Sequence, residues 1–274
     1  MVVKAVVVVL CCVALTVSVG WVEGATSSRD ATFSDYSYNP DAPNGPAFWA
    51  TAVVGAEDCG GRRQSPLNID VSSVIPYNAA KTLMTNASDE YVQEELTNLN
   101  HTLEVVVVSP NPPLLNGYSL LLENYRLAQY HIHSPSEHQI DGVSYDLEVH
   151  WVHQIAGTGD NAVVAALFNA SQECSSFLEP IAQGAGEVPR VGDTTVIETS
   201  LRPPVDGDFF HYRGSLTTPP CTENVDWYVM QTIQPVCESQ LAQILPRLDS
   251  TYPRNNRPIQ PVDGRGIYRR TALP

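Results

Sequence analysis

Five of the seven histidines in this chain fall between Gln129 and His153, in the run QYHIHSPSEHQIDGVSYDLEVHWVH. His131 and His133 are two residues apart, and residues i and i+2 of a β-strand share a face. An H-x-H pair therefore presents two imidazoles side by side. Asp141-Gly142 is a favoured two-residue hairpin turn. Pairing Ile140 with Val143 across it makes partner numbers sum to 283, which sets His133 opposite His150 and His131 opposite Val152. Pro135 lies in that path and can bulge it. All three of His131, His133 and His150 then fall on one face of an antiparallel ribbon. Three neutral imidazoles with no fourth protein ligand are the pattern of an open catalytic zinc site.

A zinc-bound histidine usually donates its other ring N–H to an acceptor, which fixes its tautomer. Gln129 precedes His131 by two residues, and Glu148 precedes His150 by two. Each can be that acceptor on the same strand face. An isolated strand histidine is usually structural, but three in register, two of them with polar i−2 neighbours, point to metal. Glu137 can by spacing be a further ligand, or it can accept a hydroxyl proton. The hydroxyl would come from Ser215-Leu216-Thr217-Thr218-Pro219-Pro220, where two prolines stiffen the backbone. A threonine that donates to Glu137 must accept from a metal-bound group, and so selects a group carrying a proton. The plainer reading of that segment is a rigid turn with solvated threonines.

The elements that must hold these residues read as mostly β. Strands are expected at Leu103–Val108, Tyr118–Leu122, Tyr125–His133, Tyr145–Ile155, Ala162–Asn169, Phe209–Tyr212 and Val225–Ile233. Short helices are expected at Ser171–Gln183 and Ser239–Leu248. Thr26–Trp49 reads as an irregular segment pinned by Tyr36, Tyr38, Phe48 and Trp49. Ser65-Pro66 is expected in the commoner trans form. Twenty-one prolines and 17 glycines suit a loop-rich β domain. The 274 residues are enough for one large domain, and no internal repeat suggests a solenoid or propeller.

Residues 1–24 read as a secretory leader: Lys4 precedes an apolar run from Ala5 to Val19, and small residues follow. No other stretch is apolar and long enough to span a membrane, and the C-terminus has no lipid-anchor signal. Loss of the leader removes Cys11 and Cys12 and leaves Cys59, Cys174, Cys221 and Cys237, which allow three disulfide connectivities. A net charge of −15 disfavours nucleic acid and anionic membrane. It can attract calcium or mineral surfaces, although solubility is the simpler reading. N-glycosylation sequons begin at Asn86, Asn100 and Asn169.

Together these stretches resemble the α-carbonic anhydrases, over residues 33–260. The resemblance lies in Asn44-Gly45-Pro46, Gln64-Ser65-Pro66, QYHIH, Ser136-Glu137-His138, Glu148 to His153, SLTTPP and Arg257-Pro258, in that order and spacing. It implies one domain (25–260) built on a large, mainly antiparallel twisted sheet with short peripheral helices; residues 261–274 read as a basic tail, with Arg265 to Arg270 solvated. It also implies a secreted enzyme that reversibly hydrates CO2 to bicarbonate and a proton through a zinc-bound hydroxide. His131, His133 and His150 would hold zinc, with Gln129, Glu148 and a main-chain carbonyl near Asn255 as acceptors. Thr217 would be the gatekeeping hydroxyl and Glu137 its acceptor, with Thr218 beside the substrate. Val152, Val163, Leu216 and Trp227 would form the apolar wall for CO2. His101 would shuttle protons, Tyr38 would join the site's hydrogen-bond network, and Cys59–Cys221 would be bridged.

Asn100 and His101, as strand neighbours, would face opposite ways, so a glycan could sit outside while the imidazole faces the cleft. Tyr36 stands where many members carry tryptophan, and Leu99 and Glu104 replace polar positions on the shuttle's water path. Cys174 and Cys237 have no counterpart across the family and can pair with each other or bridge subunits. Two other readings remain. His131-x-His133-x3-Glu137 fits the first metal motif of a cupin, with manganese or iron, but no second such motif follows His150. An acidic secreted matrix or binding protein on the same fold is the non-enzymatic alternative.

Overall fold

The computed structural model describes residues 36–77, 83–117, 124–248 and 252–270. The leader and the strand expected at Tyr118–Leu122 lie outside the described residues. Among the described residues, no helix is long and apolar enough to cross a membrane.

Among the same residues a 13-stranded sheet dominates. Its path runs from Thr194–Ser200 at one edge through Tyr91–Asn98, Leu103–Val106, Tyr125–His133, Leu147–Gln154 and Asn161–Ser171. It continues through Glu223–Met230, Phe209–Ser215 and Tyr268–Arg270 to Ile75–Tyr77. Most neighbours are antiparallel. Asn161–Ser171, however, pairs in parallel with both Glu223–Met230 and Gln234–Cys237, and Tyr268–Arg270 with Ile75–Tyr77, so the sheet is mixed.

Strand alternation sorts the central side chains onto two faces. Tyr130, Ile132, Val149, Trp151, Ala162 and Val164 join the larger core, which the helices Glu179–Glu187 and Glu238–Ile244 cover through Ile181, Ala182, Ala185 and Ile244. The intervening residues point to the other face. There Val152, Val163, Ala165, Leu167, Val225, Trp227 and Val229 form a second apolar cluster. Asn161–Ser171 is buried over its first eight residues because both faces are covered.

Several expectations change. The first helix begins at Glu179, eight residues later than the pattern suggested, with Pro180 in its first turn. Ser175 is held instead by Gln240, whose side chain bonds both its N–H and its carbonyl. The second helix passes at Leu245 into a 3-10 turn that contains Pro246. Phe48 is 46% exposed and is not part of the cluster in which Tyr38 and Trp49 are buried together. Ser65-Pro66 is cis, as are Ser134-Pro135 and Pro219-Pro220. Within Arg265 to Arg270, expected to be solvated, Tyr268–Arg270 is a strand, Arg270 is buried, and Arg265 donates to the carbonyl of Gln64.

Both pairs of described cysteines are bridged, Cys59–Cys221 and Cys174–Cys237. The second bridge lies within the chain, which settles the alternative left open for that pair.

Candidate metal centre

The Asp141-Gly142 turn forms as its sequence dictates, with φ of 50° and 78° and Ile140 bridged to Val143. The ladder beyond it does not keep the expected register. His131 pairs with His150 and His133 with Glu148, so partner numbers sum to 281 and not 283. Six residues, 134–139, separate His133 from Ile140, against four, 144–147, on the other side. The longer side leaves the ladder at Ser134-Pro135, and Gln139–Ile140 pairs with Asn68–Ile69 in a separate two-stranded sheet. A shift of two preserves the face, so the three imidazoles still converge.

One ring nitrogen of each imidazole is engaged. His131 Nδ1–H donates to Gln129 Oε1, His133 Nδ1–H to the Asn255 carbonyl, and His150 Nε2–H to Glu148 Oε1, each at 2.7 Å. This leaves His131 Nε2, His133 Nε2 and His150 Nδ1. The three residues can present ligand atoms that all lie within 4.8 Å of one another. His133 Nε2 is buried with no hydrogen-bond partner, which suits a metal ligand. Burial, reinforced by the neighbouring imidazoles, holds His131 well below its ordinary pKa; burial takes His133 down to about 4 and also lowers His150. All three rings are thus kept in the neutral, ligating form.

Glu148 serves more partners than its spacing suggested. It also accepts from His138 Nδ1 at 2.6 Å and from the main-chain N–H groups of Glu137 and His138. Burial pushes its carboxyl up, but His138 and His150 outweigh that and hold it well below the usual carboxylate range. His138 Nε2 lies 2.6 Å from the Tyr212 hydroxyl, which reaches Ser65. No spacing signal assigned a role to His138. Asn255 was likewise expected only for its carbonyl. Its side-chain amide also donates to the carbonyls of His101 and Ile132 and accepts from Ser134 N–H.

Glu137 Oε1 accepts the Arg257 N–H, and the Thr217 side chain hydrogen-bonds the same carboxyl. Glu137 Oε2 faces His133 Nε2 at 3.5 Å and His150 Nδ1 at 4.0 Å. Burial pushes the Glu137 carboxyl up to about 7; a bound cation would oppose that shift. Thr217 is buried and Thr218 half-buried, in a loop tied by Cys221 N–H to the Thr218 carbonyl and by the Cys59–Cys221 bridge.

Gln129, Val152, Val163 and Trp227 stand in one row across four neighbouring strands. Val152, Val163 and Trp227 are buried in one cluster with Leu216 packed against it. The four expected wall residues are therefore brought together on the face that carries the histidines.

His101 is not on a strand. It lies in the turn between Tyr91–Asn98 and Leu103–Val106, where Asn100 takes a φ of 72° and Leu99 N–H meets the Thr102 carbonyl. Strand alternation between Asn100 and His101 therefore does not apply. The His101 ring packs against Tyr36 at 4.4 Å and Tyr38 at 5.7 Å. Asn86 and Asn169 are exposed and Asn100 is half-buried.

A family model described as eukaryotic-type carbonic anhydrase matches residues 44–271. Alpha carbonic anhydrase 3 of Arabidopsis thaliana is 31% identical over 250 residues, which cover 89% of this chain and 87% of that protein. Among solved structures, the Photobacterium profundum alpha-carbonic anhydrase superposes with a TM-score of 0.72 at 28% identity, covering 85% of this chain and 100% of that one. A dioscorin solved in complex with ascorbate gives 0.79 at 28% identity, covering 87% and 99%. With the match extending over most of its length, this chain belongs to the eukaryotic-type, or α-class, carbonic anhydrase family.

Proposed function

We propose that this chain is a zinc-dependent carbonic anhydrase that interconverts carbon dioxide and bicarbonate. The observation that carries the reading is the convergence of three neutral imidazoles, each with its other ring nitrogen held by an acceptor. His131, His133 and His150 would hold the metal. When bound, zinc supplies Lewis acidity that brings the pKa of water to about 7, a magnitude known for this family and not obtained from this chain.

The chain's own residues supply the rest. Gln129, Asn255 and Glu148 orient the imidazoles. Thr217 donates to Glu137, so its oxygen can accept only from a reacting group that carries a proton. Val152, Val163, Leu216 and Trp227 offer an apolar surface on which CO2, a linear molecule without a dipole, sheds little hydration. Thr218 stands at the substrate side of the same loop. His101 carries the released proton away, a task suited to imidazole, and Asn255 ties its turn to the ligand strand. The two disulfides fit an extracellular protein.

Family membership alone does not decide activity, since a dioscorin shares the fold. The deciding experiment is CO2 hydration by the protein as purified, after chelation and after zinc is restored. The reading expects activity that is lost and regained; a zinc-loaded protein without hydration activity overturns it.

A further inference from the structure

Leu103–Val106 lies on the flank of the ligand strand opposite the apolar wall. Leu103 and Val105 belong to the helix-covered core, so Glu104 and Val106 point to the face that carries the histidines. Glu104 is the direct cross-strand partner of His131, and Val106 of Gln129. Directly opposed residues place their Cβ atoms about 5 Å apart. Glu104 is half-buried. The candidate centre therefore has Val152, Val163 and Trp227 on one side and a carboxylate beside His131 on the other.

We propose that Glu104 is a specificity-determining residue that disfavours anions at the metal centre relative to neutral CO2. The inference rests on the zinc reading above. A divalent cation attracts any small anion, the bicarbonate product included. A fixed negative charge on the same face repels those anions and leaves an uncharged substrate unaffected. The repulsion acts through space, so added salt weakens it.

The test uses protein loaded with cobalt(II) and titrated with thiocyanate, read by visible absorption, for wild type, Glu104→Gln and Glu104→Asp. Glu104→Gln is expected to bind thiocyanate about three- to tenfold more tightly at low ionic strength. The gain should shrink at high ionic strength, and Glu104→Asp should stay near wild type. Unchanged thiocyanate affinity in Glu104→Gln, or an equal gain in Glu104→Asp, overturns the charge filter alone. A wild type that takes up no metal overturns the zinc reading and this inference with it.

Discussion

His138 and His150 donate to the same oxygen, Glu148 Oε1, at 2.6 and 2.7 Å, with all three side chains buried. The carboxylate that orients one candidate ligand is thereby itself fixed by a second imidazole and two main-chain N–H groups.

Glu148→Ala is expected to free the His150 ring and raise the zinc dissociation constant about 10- to 100-fold. Competition with a chromophoric chelator measures it. An unchanged constant would remove the orienting role.

His101→Ala is expected to lower kcat for CO2 hydration in dilute buffer, with added imidazole restoring it. If turnover in dilute buffer stays at the wild-type value, His101 is not the shuttle.

His153 lies on the helix-covered face, away from the candidate ligands. Its Nδ1–H donates to the Trp151 carbonyl, and burial takes its pKa down to about 4. The unfolded chain binds this proton more readily, so the stability it contributes is full above about pH 6.5 and is lost as pH falls towards 4. The loss is about 3 kcal/mol. Denaturant unfolding across that range should show a shallower pH dependence in His153→Phe; an identical slope would contradict the assignment.

The sequence was most informative where a local rule acts alone. The Asp141-Gly142 turn forms as expected, and Tyr125–His133 is a strand over the whole expected range. The register failed because the two extra residues before Ile140 are accommodated only by pairing with Asn68–Ile69, which is distant in sequence. His138 and the Asn255 side chain were missed for the same reason. Their partners, Tyr212 and the His101 carbonyl, are brought close only by the folded sheet. Arg265 to Arg270 looked solvated because the pairing of Tyr268–Arg270 with Phe209–His211 leaves no local periodicity.

Glu137 provides the most direct test of the central claim, because its Oε2 stands 3.5 Å from His133 Nε2 and it could by spacing alone have been a ligand. The measurement is metal analysis with X-ray absorption on wild type and Glu137→Gln. The account predicts zinc with three imidazole nitrogens at about 2.0 Å and the same ligand set in both proteins. Manganese or iron in the wild type, or loss of the metal in Glu137→Gln, would contradict it.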